Sequence, residues 1–148
     1  MKILQINTTV NSGSTGRIAE DIGKTLISKG HESYIAFGRG NQKSVSSLLR
    51  IGSKWDFYVH GIISLFTDRH GFGSKRATKR FLKQVDEIKP DAIGLHNIHG
   101  YYLNVKILFK YIKDKNIPVL WTFHDCWPFT GHCSYNTDCD NCKNCQRK

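Results

Sequence analysis

Short apolar runs alternate along this chain with longer segments in which apolar residues recur every three or four positions. The short runs lie at residues 2–7, 33–37, 92–95 and 117–127, and their length and composition are typical of strands. The last run stays continuously apolar until it reaches His124 and Asp125. A continuous run predicts a buried strand that is covered on both faces.

Four intervening segments show the helical period, and their apolar residues are expected to face the core: Ile18, Ile22, Leu26 and Ile27; Trp55, Val59, Ile62, Ile63 and Phe66; Phe81, Leu82, Val85 and Ile88; Val105, Leu108, Phe109 and Ile112. Gly30 and Pro90 end two of these helices, and Ser74 is placed to cap another. Residues 38–52 predict an exposed connection with little regular structure. Strands that alternate with helices predict an α/β fold, a Rossmann-like parallel sheet flanked by helices.

The composition is that of a soluble globular protein. The 148 residues suffice for one domain, and 23% charged against 39% apolar residues exclude a disordered chain. No stretch approaches the roughly 20 apolar residues of a membrane helix, and the first apolar run is too short for a signal peptide. We therefore expect a cytoplasmic protein.

The net charge of +10 favours anionic partners: nucleic acid, an anionic bilayer or a phosphorylated small molecule. The densest basic cluster consists of Lys75, Arg76, Lys79, Arg80 and Lys83. No helix-turn-helix, aromatic RNA-binding strand or zinc finger accompanies the charge, so nucleic acid is not expected. A solvated basic surface and a patch that meets the inner membrane surface both remain open.

Polar residues follow three of the predicted strands. The first strand leads to the loop Gly13-Ser14-Thr15-Gly16-Arg17, the run at 92–95 leads to His96-Asn97-Ile98-His99-Gly100, and the last run carries His124 and Asp125. Ligands of parallel α/β sheets lie beyond the carboxyl ends of the strands. We therefore expect these three segments to border one crevice.

The loop at residues 13–17 also predicts an anion site, because it opens a helix whose free N–H groups and dipole favour negative charge. Its spacing is not the full dinucleotide fingerprint, so no nicotinamide or flavin cofactor is expected. The alternative is that Gly13 and Gly16 serve only the turn.

The C-terminal residues 126–148 form a cysteine-rich tail, which we separate from a Rossmann-like part at residues 1–125. Paired spacing in a cytoplasmic protein favours zinc over disulfides, with Cys133, Cys139, Cys142 and Cys145 as the candidate ligands. The alternative is a set of reduced thiols in a loop.

Several motifs together resemble the N-terminal half of family 4 glycosyltransferases, which are retaining enzymes of the GT-B fold. The motifs are Gly-Ser-Thr-Gly-Arg at 13–17, Lys-Gly-His at 29–31, Asp-Arg-His-Gly-Phe at 68–72, Lys-Pro-Asp at 89–91 with Leu-His-Asn-Ile-His-Gly-Tyr-Tyr at 95–102, and Trp-Thr-Phe-His-Asp-Cys-Trp-Pro-Phe-Thr-Gly-His-Cys at 121–133. The members of this family that the motifs resemble most build bacterial surface polysaccharides.

The resemblance implies two facing Rossmann-like domains, of which the N-terminal one binds mainly a saccharide or lipid-linked acceptor. The other holds the nucleotide-sugar donor, and no further cofactor is required. Residues 13–17 would approach the donor diphosphate or a phosphorylated acceptor, and His124 would reach the transferred sugar as the catalytic residue. Asn97, His99, Tyr101 and Tyr102 would line the acceptor side, with Asp125 beside His124 among the substrate-binding residues.

The chain stops at Lys148, before such an N-terminal domain would be finished. We therefore expect the donor-binding domain to be missing and the chain to be inactive alone. Two alternatives of other classes are a small zinc-stabilised binding module and, although no nucleic-acid-binding motif is present, a basic nucleic-acid-associated protein.

Overall fold

Five strands form one parallel sheet in the computed structural model, which describes residues 1–40, 42–67 and 71–130. The strands are β1 (Lys2–Asn7), β2 (Glu32–Phe37), β3 (Ser47–Arg50), β4 (Ala92–Leu95) and β5 (Val119–Trp121). The helices of the described ranges are α1 (Gly13–Ser28), α2 (Lys54–Thr67), α3 (Lys75–Ile88), α4 (Val105–Lys115) and α5 (Trp127–Thr130). The predicted α/β, Rossmann-like arrangement is confirmed.

The strand order is β3-β2-β1-β4-β5, and each neighbouring pair is parallel. The chain first builds outward from β1 through β2 to β3, and then returns to the other side of β1 to add β4. The order therefore reverses between β1 and β4, which is where open α/β sheets place their ligands.

The main core lies between one face of the sheet and the helices α3 and α4. Leu4, Ile6, Ile93 and Leu95 supply the sheet side, and the helices contribute buried residues at their predicted inward positions: Phe81, Leu82, Val85, Leu108 and Ile112. The periodicity of these two helices therefore predicted their buried faces. A smaller cluster beneath α1 contains Val10, Ala19, Ile35 and Phe37.

Helix α1 buries a different face from the predicted one. Ile18, Ile22 and Ile27 are 41%, 39% and 41% exposed, while the buried positions are Gly16, Ala19, Glu20 and Gly23. The prediction was wrong because the segment that leads into β3 crosses α1 closely. The Glu20 carboxylate accepts from the Val45 N–H (3.0 Å) and from the Ser44 hydroxyl, and a Cβ at Gly23 would lie 2.3 Å from Ser46 Oγ.

Helix α2 is inverted relative to its prediction. The large residues assigned to the core are exposed, with Trp55 at 80% and Phe66 at 81%, whereas His60 and Ser64 are buried. His60 is held by polar contacts instead, since its Nε2 accepts from the Gly73 N–H (3.0 Å) and its Nδ1 lies 2.9 Å from Ser74 Oγ.

Ser74 occupies the N-cap position of α3, but its side chain makes no capping hydrogen bond. Its hydroxyl contacts His60 and donates to the carbonyl of Tyr101 at 3.2 Å. The predicted capping role of this side chain is therefore wrong.

Two strand predictions also need correction. The supposedly irregular residues 38–52 contain β3, a four-residue strand whose register is imposed by β2, with Ile35 opposite Leu48. β5 was predicted to be covered on both faces, but it lies at the edge of the described sheet, with Leu120 74% exposed. Whether a segment forms a strand, and whether that strand lies inside the sheet or at its edge, depends on pairing with neighbouring strands. A short apolar run does not indicate its neighbours.

A matched pair of leucines compares the buried side of α4 with the exposed side of α2. Leu108→Ala in α4 removes a fully buried side chain and should lower the free energy of unfolding by about 2–5 kcal/mol. Leu65→Ala in α2 removes one that is 81% exposed and should change it by less than about 0.5 kcal/mol. Urea denaturation of both variants measures the difference, and equal losses would contradict the burial described here.

Candidate functional site at the carboxyl end of the sheet

The segments that follow β1, β4 and β5 meet at one place. Thr8 Oγ1 lies 2.9 Å from the carbonyl oxygens of both Asn97 and His99, and the Asn97 N–H donates to Asn7 Oδ1 at 3.2 Å. The start of α1 joins them, since Asn7 Nδ2 lies 3.4 Å from Thr15 Oγ1. The convergence expected from three polar strand ends is therefore present.

The loop predicted at residues 13–17 is the first turn of α1. Gly13 has a positive φ of 65°, and a Cβ at Gly16 would lie 2.9 Å from Thr9 Oγ1 and 3.2 Å from the Asn11 nitrogen. The glycines therefore do serve the turn, by allowing the preceding backbone to approach the helix. Ser14 and Arg17 are exposed, and Thr15 is half-buried.

The same turn has the electrostatics of an anion site. The Ser12 side chain makes no capping hydrogen bond, and no acidic residue lies in the first turn of α1. The positive end of the helix dipole is therefore not neutralised locally, and Arg17 adds a full positive charge beside it.

Two histidines lie in contact at the ends of β4 and β5. His96 Nδ1 is 3.0 Å from His124 Nε2, and the rings stack at a centroid distance of 5.2 Å. His96 is only 4% exposed, and its backbone is fixed because its N–H donates to Ile6 and its carbonyl accepts from the Trp121 indole. His124 is half-buried and lies on the more open side of the pair.

Gln5 determines which nitrogen of His96 carries the proton. Its amide nitrogen donates to the carbonyl of Ala19 in α1 (2.9 Å), so its oxygen must be the atom 3.1 Å from His96 Nε2. An oxygen at that position accepts, and His96 therefore donates from Nε2. In a neutral His96 this leaves a lone pair on Nδ1, which accepts from His124 Nε2.

Electrostatics favour the neutral form of His96. Burial, and secondarily the neighbouring His124, lower the pKa of His96 from 6.5 to about 4. With His96 neutral, all hydrogen bonds of the chain run in one direction: His124 donates to His96, His96 donates to Gln5, and Gln5 donates to Ala19. His124 then presents its Nδ1 as an acceptor when neutral and as a donor when protonated.

A second pair lies beside the first. His99 Nε2 is 2.7 Å from Asp125 Oδ2, and Asp125 Oδ1 accepts from the Trp127 N–H at 3.0 Å. The Trp127 ring lies 5.5 Å from the His99 ring. The side chains of His99 and Asp125 are only 21% and 13% exposed, so the pair is largely shielded from water. Asp125 therefore orients His99 in the way that a carboxylate orients an imidazole in many enzymes.

The remaining predicted residues of this turn have different surroundings. Asn97 contributes its backbone carbonyl to Thr8 and to the Tyr102 hydroxyl, which donates to it at 2.8 Å. Tyr102 is 2% exposed, and burial raises the pKa of its hydroxyl. The ring of Tyr101 packs edge-on against His60 (5.6 Å) and Phe57 (5.8 Å) of α2. Tyr101 therefore links the turn to α2, and Tyr102 stabilises the turn from inside.

Sequence reasoning gave no role of its own to any of three residues on which this site depends: Gln5, His96 and Thr8. Gln5 did carry a signal, because it is a polar residue in the middle of the apolar run of β1. A buried polar side chain needs a partner, and its partners here are Ala19 and His96. His96 directly follows a predicted strand, but nothing local separates it from an ordinary first loop residue.

No group of three or more potential metal ligands occurs within residues 1–40, 42–67 and 71–130. The candidate zinc ligands Cys133, Cys139, Cys142 and Cys145 lie outside the described residues, so the zinc site stays a prediction. The boundary after residue 125 is likewise a prediction, although Trp127 beyond it is buried in the main core.

The fold and site define a Rossmann-like domain in which a helix start that favours anions, a His96–His124 pair and a His99–Asp125 pair lie at the carboxyl end of the sheet. The family profile of Glycosyltransferase Family 4 matches residues 15–139, which is most of the sequence, and the chain belongs to this family. No solved structure was found to match it.

One curated relative is similar along almost the whole chain. The protein named "Putative colanic acid biosynthesis glycosyl transferase WcaC", from Escherichia coli (strain K12), is 26% identical over 160 residues. The match covers 99% of this chain and 39% of the relative, so the chain spans about two fifths of the relative's length. Among the helices of the described ranges, none is long and apolar enough to cross a membrane.

The hydrogen-bond chain predicts the tautomers of two histidines. Long-range ¹H–¹⁵N spectra at pH 7.5 should show neutral His96 with its proton on Nε2, and His124, whenever neutral, with its proton on Nε2 as well. Gln5→Met keeps the side-chain length but removes the acceptor, and should allow both tautomers of His96 to be populated. His31, at the opposite end of the sheet, serves as the internal reference. A His96 protonated on Nδ1 in the parent would contradict the chain.

The lowered pKa of His96 predicts a pH dependence of stability. The unfolded chain takes up a proton on this ring below pH 6.5, whereas the folded chain does so only near pH 4. The free energy of unfolding should therefore decrease as the pH is lowered from 6.5 to about 4. The decrease should be at most about 1.4 kcal/mol per pH unit for one proton, and this ring should cause no further loss below about pH 4.

Denaturation at several pH values, with His96→Asn as the comparison, measures this contribution. The variant should lose less stability than the parent between pH 6.5 and pH 4. The His96 ring signals should also stay in their neutral positions down to about pH 5. Titration of that ring near pH 6.5 would overturn the prediction.

Proposed function

We propose that this chain is the acceptor-binding N-terminal part of a retaining glycosyltransferase. The enzyme would transfer a hexosyl group from a nucleotide-sugar to a saccharide or lipid-linked acceptor during synthesis of a bacterial surface polysaccharide. One observation carries the proposal: His124 contacts His96 at the end of β4, and the next residue, Asn97, is linked through Asn7 to the first turn of α1. Membership of family 4 and the likeness to a putative colanic acid biosynthesis glycosyl transferase support it.

The first turn of α1 would bind phosphate. Gly13, Ser14, Thr15 and Gly16 bring their backbone N–H groups to the helix start, and Arg17 supplies a cation on the exposed side. A diphosphate leaving group or an acceptor phosphate gains most from such donors when negative charge develops on it.

His124 would be the catalytic residue. Because His96 occupies its Nε2, the other ring nitrogen is left to meet a sugar hydroxyl or the charge that develops at the anomeric centre. His96 and Gln5 act through His124 and are positioning residues. A buried histidine beside a half-buried one is consistent with this division of roles.

The acceptor side would be formed by Asn97, His99, Tyr101 and Asp125. The His99–Asp125 pair offers a fixed imidazole and a carboxylate, which are suitable groups for orienting sugar hydroxyls. The donor-binding half would be supplied by a C-terminal GT-B domain outside this sequence, so the chain alone should bind but not transfer. We propose a nucleotide-sugar as the donor substrate without any further cofactor, and a cytoplasmic site of action at the inner face of the membrane.

Binding of a prenyl-diphosphate-linked hexose with a short, water-soluble prenyl chain tests the proposal. In ¹⁵N-labelled protein, the amide signals of residues 13–17, His99 and Asp125 should shift on titration. His124→Ala should weaken binding by about two- to tenfold, since one hydrogen bond to a sugar hydroxyl contributes roughly 0.5–1.5 kcal/mol.

His31→Ala is the matched control, because His31 lies at the amino end of β2, away from the crevice. It should bind as the parent does. Arg17→Ala, an exposed change, should weaken the diphosphate-linked probe but not the free hexose. Glycine variants are less suitable, because a side chain at Gly16 would displace Thr9 and Asn11. Equal affinity of the parent and His124→Ala would contradict the proposed role of His124.

A further inference from the structure

Helix α2 has its apolar side towards water and its polar side towards the protein. Seven apolar or aromatic residues are exposed: Trp55, Tyr58, Val59, Ile62, Ile63, Leu65 and Phe66; we refer to them as the α2 face. At about 100° per residue they occupy one continuous arc of roughly half the helix circumference. The opposite side carries the buried His60 and Ser64.

Such a face is costly in water. A helix on a soluble domain normally buries its apolar stripe, and contiguous exposed apolar surface marks an interaction site. Phe72, which is 48% exposed, extends the surface beyond the helix. The contacts of His60 with Gly73 and Ser74 hold α2 in this orientation, so the exposed side is a built feature of the fold.

Positive charge lies directly beside the α2 face. Five cationic side chains project from the exposed side of α3: Lys75, Arg76, Lys79, Arg80 and Lys83. Of these, Arg80 lies 3.5 Å from Asp56. One groove is lined by Trp55, Val59 and Ile63 of α2 and by Lys75 and Arg76 of α3, so the apolar and basic surfaces are continuous.

We propose that the α2 face and the basic side of α3 together dock this protein on an anionic lipid bilayer. A broad apolar arc that includes aromatic residues, together with flanking cations, is what a helix lying in the membrane interface requires. With 14 residues, α2 is too short to span the hydrocarbon core and would lie in the plane of the membrane surface. A protein partner would use the apolar arc, but it would not require the row of cations beside it.

The docking surface is close to the proposed acceptor side. Tyr101, in the turn after β4, packs against Phe57 and His60 of α2, and its carbonyl accepts from Ser74. One layer of side chains therefore separates the α2 face from the His99 turn. The inference deepens the proposed function, since a lipid-linked acceptor would reach the crevice from the bilayer; vesicle binding itself requires neither acceptor nor transfer, so the two proposals can fail separately.

Sedimentation with vesicles tests the surface in the 148-residue chain. The parent should bind vesicles of phosphatidylcholine with 30% phosphatidylglycerol, and should bind pure phosphatidylcholine at least about tenfold more weakly, since each cation near an anionic surface contributes about 1 kcal/mol. Trp55→Ser/Leu65→Ser/Phe66→Ser should lower binding by about tenfold or more, because it removes apolar area that the bilayer would bury.

Matched variants separate this surface from general charge and hydrophobicity. Lys79→Glu/Lys83→Glu should lose binding, whereas Lys106→Glu/Lys113→Glu on the exposed side of α4, with the same change in charge, should retain more of it. Ile18→Ser/Ile22→Ser/Ile27→Ser on α1 is the apolar control and should bind as the parent does. Lipids brominated in their acyl chains should quench the parent more strongly than Trp55→Phe.

The inference would be overturned by no binding of the parent to anionic vesicles, by equal binding of the α2 triple variant, or by equal loss in the α4 charge control. Concentration-dependent self-association that disappears in the α2 triple variant, without vesicle binding, would identify the face as a contact between copies and would also overturn it. Thermal denaturation should show that the α2 and lysine variants unfold within a few degrees of the parent, and the α1 control, whose isoleucines are about 40% exposed, is assayed at a temperature at which it is folded.

Discussion

The hydrogen-bond chain through Gln5 is the interaction on which the geometry of the site depends. Gln5 lies in the central strand and links the backbone of α1 to the ring of His96, which in turn holds His124. Each of these groups is buried or half-buried, so each needs its partner, and removing one leaves the others unsatisfied. A polar side chain in the core thus fixes the relation between a helix, two strand ends and a candidate catalytic ring.

A few buried side chains also hold the turn after β4. The buried Tyr102 donates to Asn97, and its ring leaves no room for a side chain at Gly38, where a Cβ would lie 2.2 Å away. Thr8 fastens the same turn from the other side through the carbonyls of Asn97 and His99. These contacts use main-chain atoms of the turn, which leaves the imidazole of His99 to pair with Asp125. A site of this kind rests on a rigid scaffold although its residues lie in loops.

The two proposed surfaces place different demands on one fold. The crevice needs polar groups that are shielded from water, and the main core and the strands around it provide the shielding. The α2 face needs the reverse, an apolar surface held outward, and the fold achieves it by burying a histidine that hydrogen-bonds to Gly73 and Ser74. Tyr101 joins the two regions, which makes this turn the place where acceptor and membrane would meet.

The sequence by itself determined the alternation of strands and helices, the inward faces of α3 and α4, and the meeting of three polar strand ends. These features follow from local periodicity and from the general rule that parallel strands align their carboxyl ends. The motifs also indicated membership of glycosyltransferase family 4. Periodicity locates an apolar stripe but does not say which way the stripe faces, and only the tertiary structure decided that for α1 and α2. The segment around Ser46 crosses α1 at Gly23, and His60 of α2 is buried and hydrogen-bonded to Gly73. These contacts set the orientation of the two helices, and both involve residues distant in the chain. The sequence did not predict that His96 pairs with His124 and bonds to Gln5, for the same physical reason. A polar residue in an apolar run indicates that a partner is needed, but only the folded chain shows which residue that partner is.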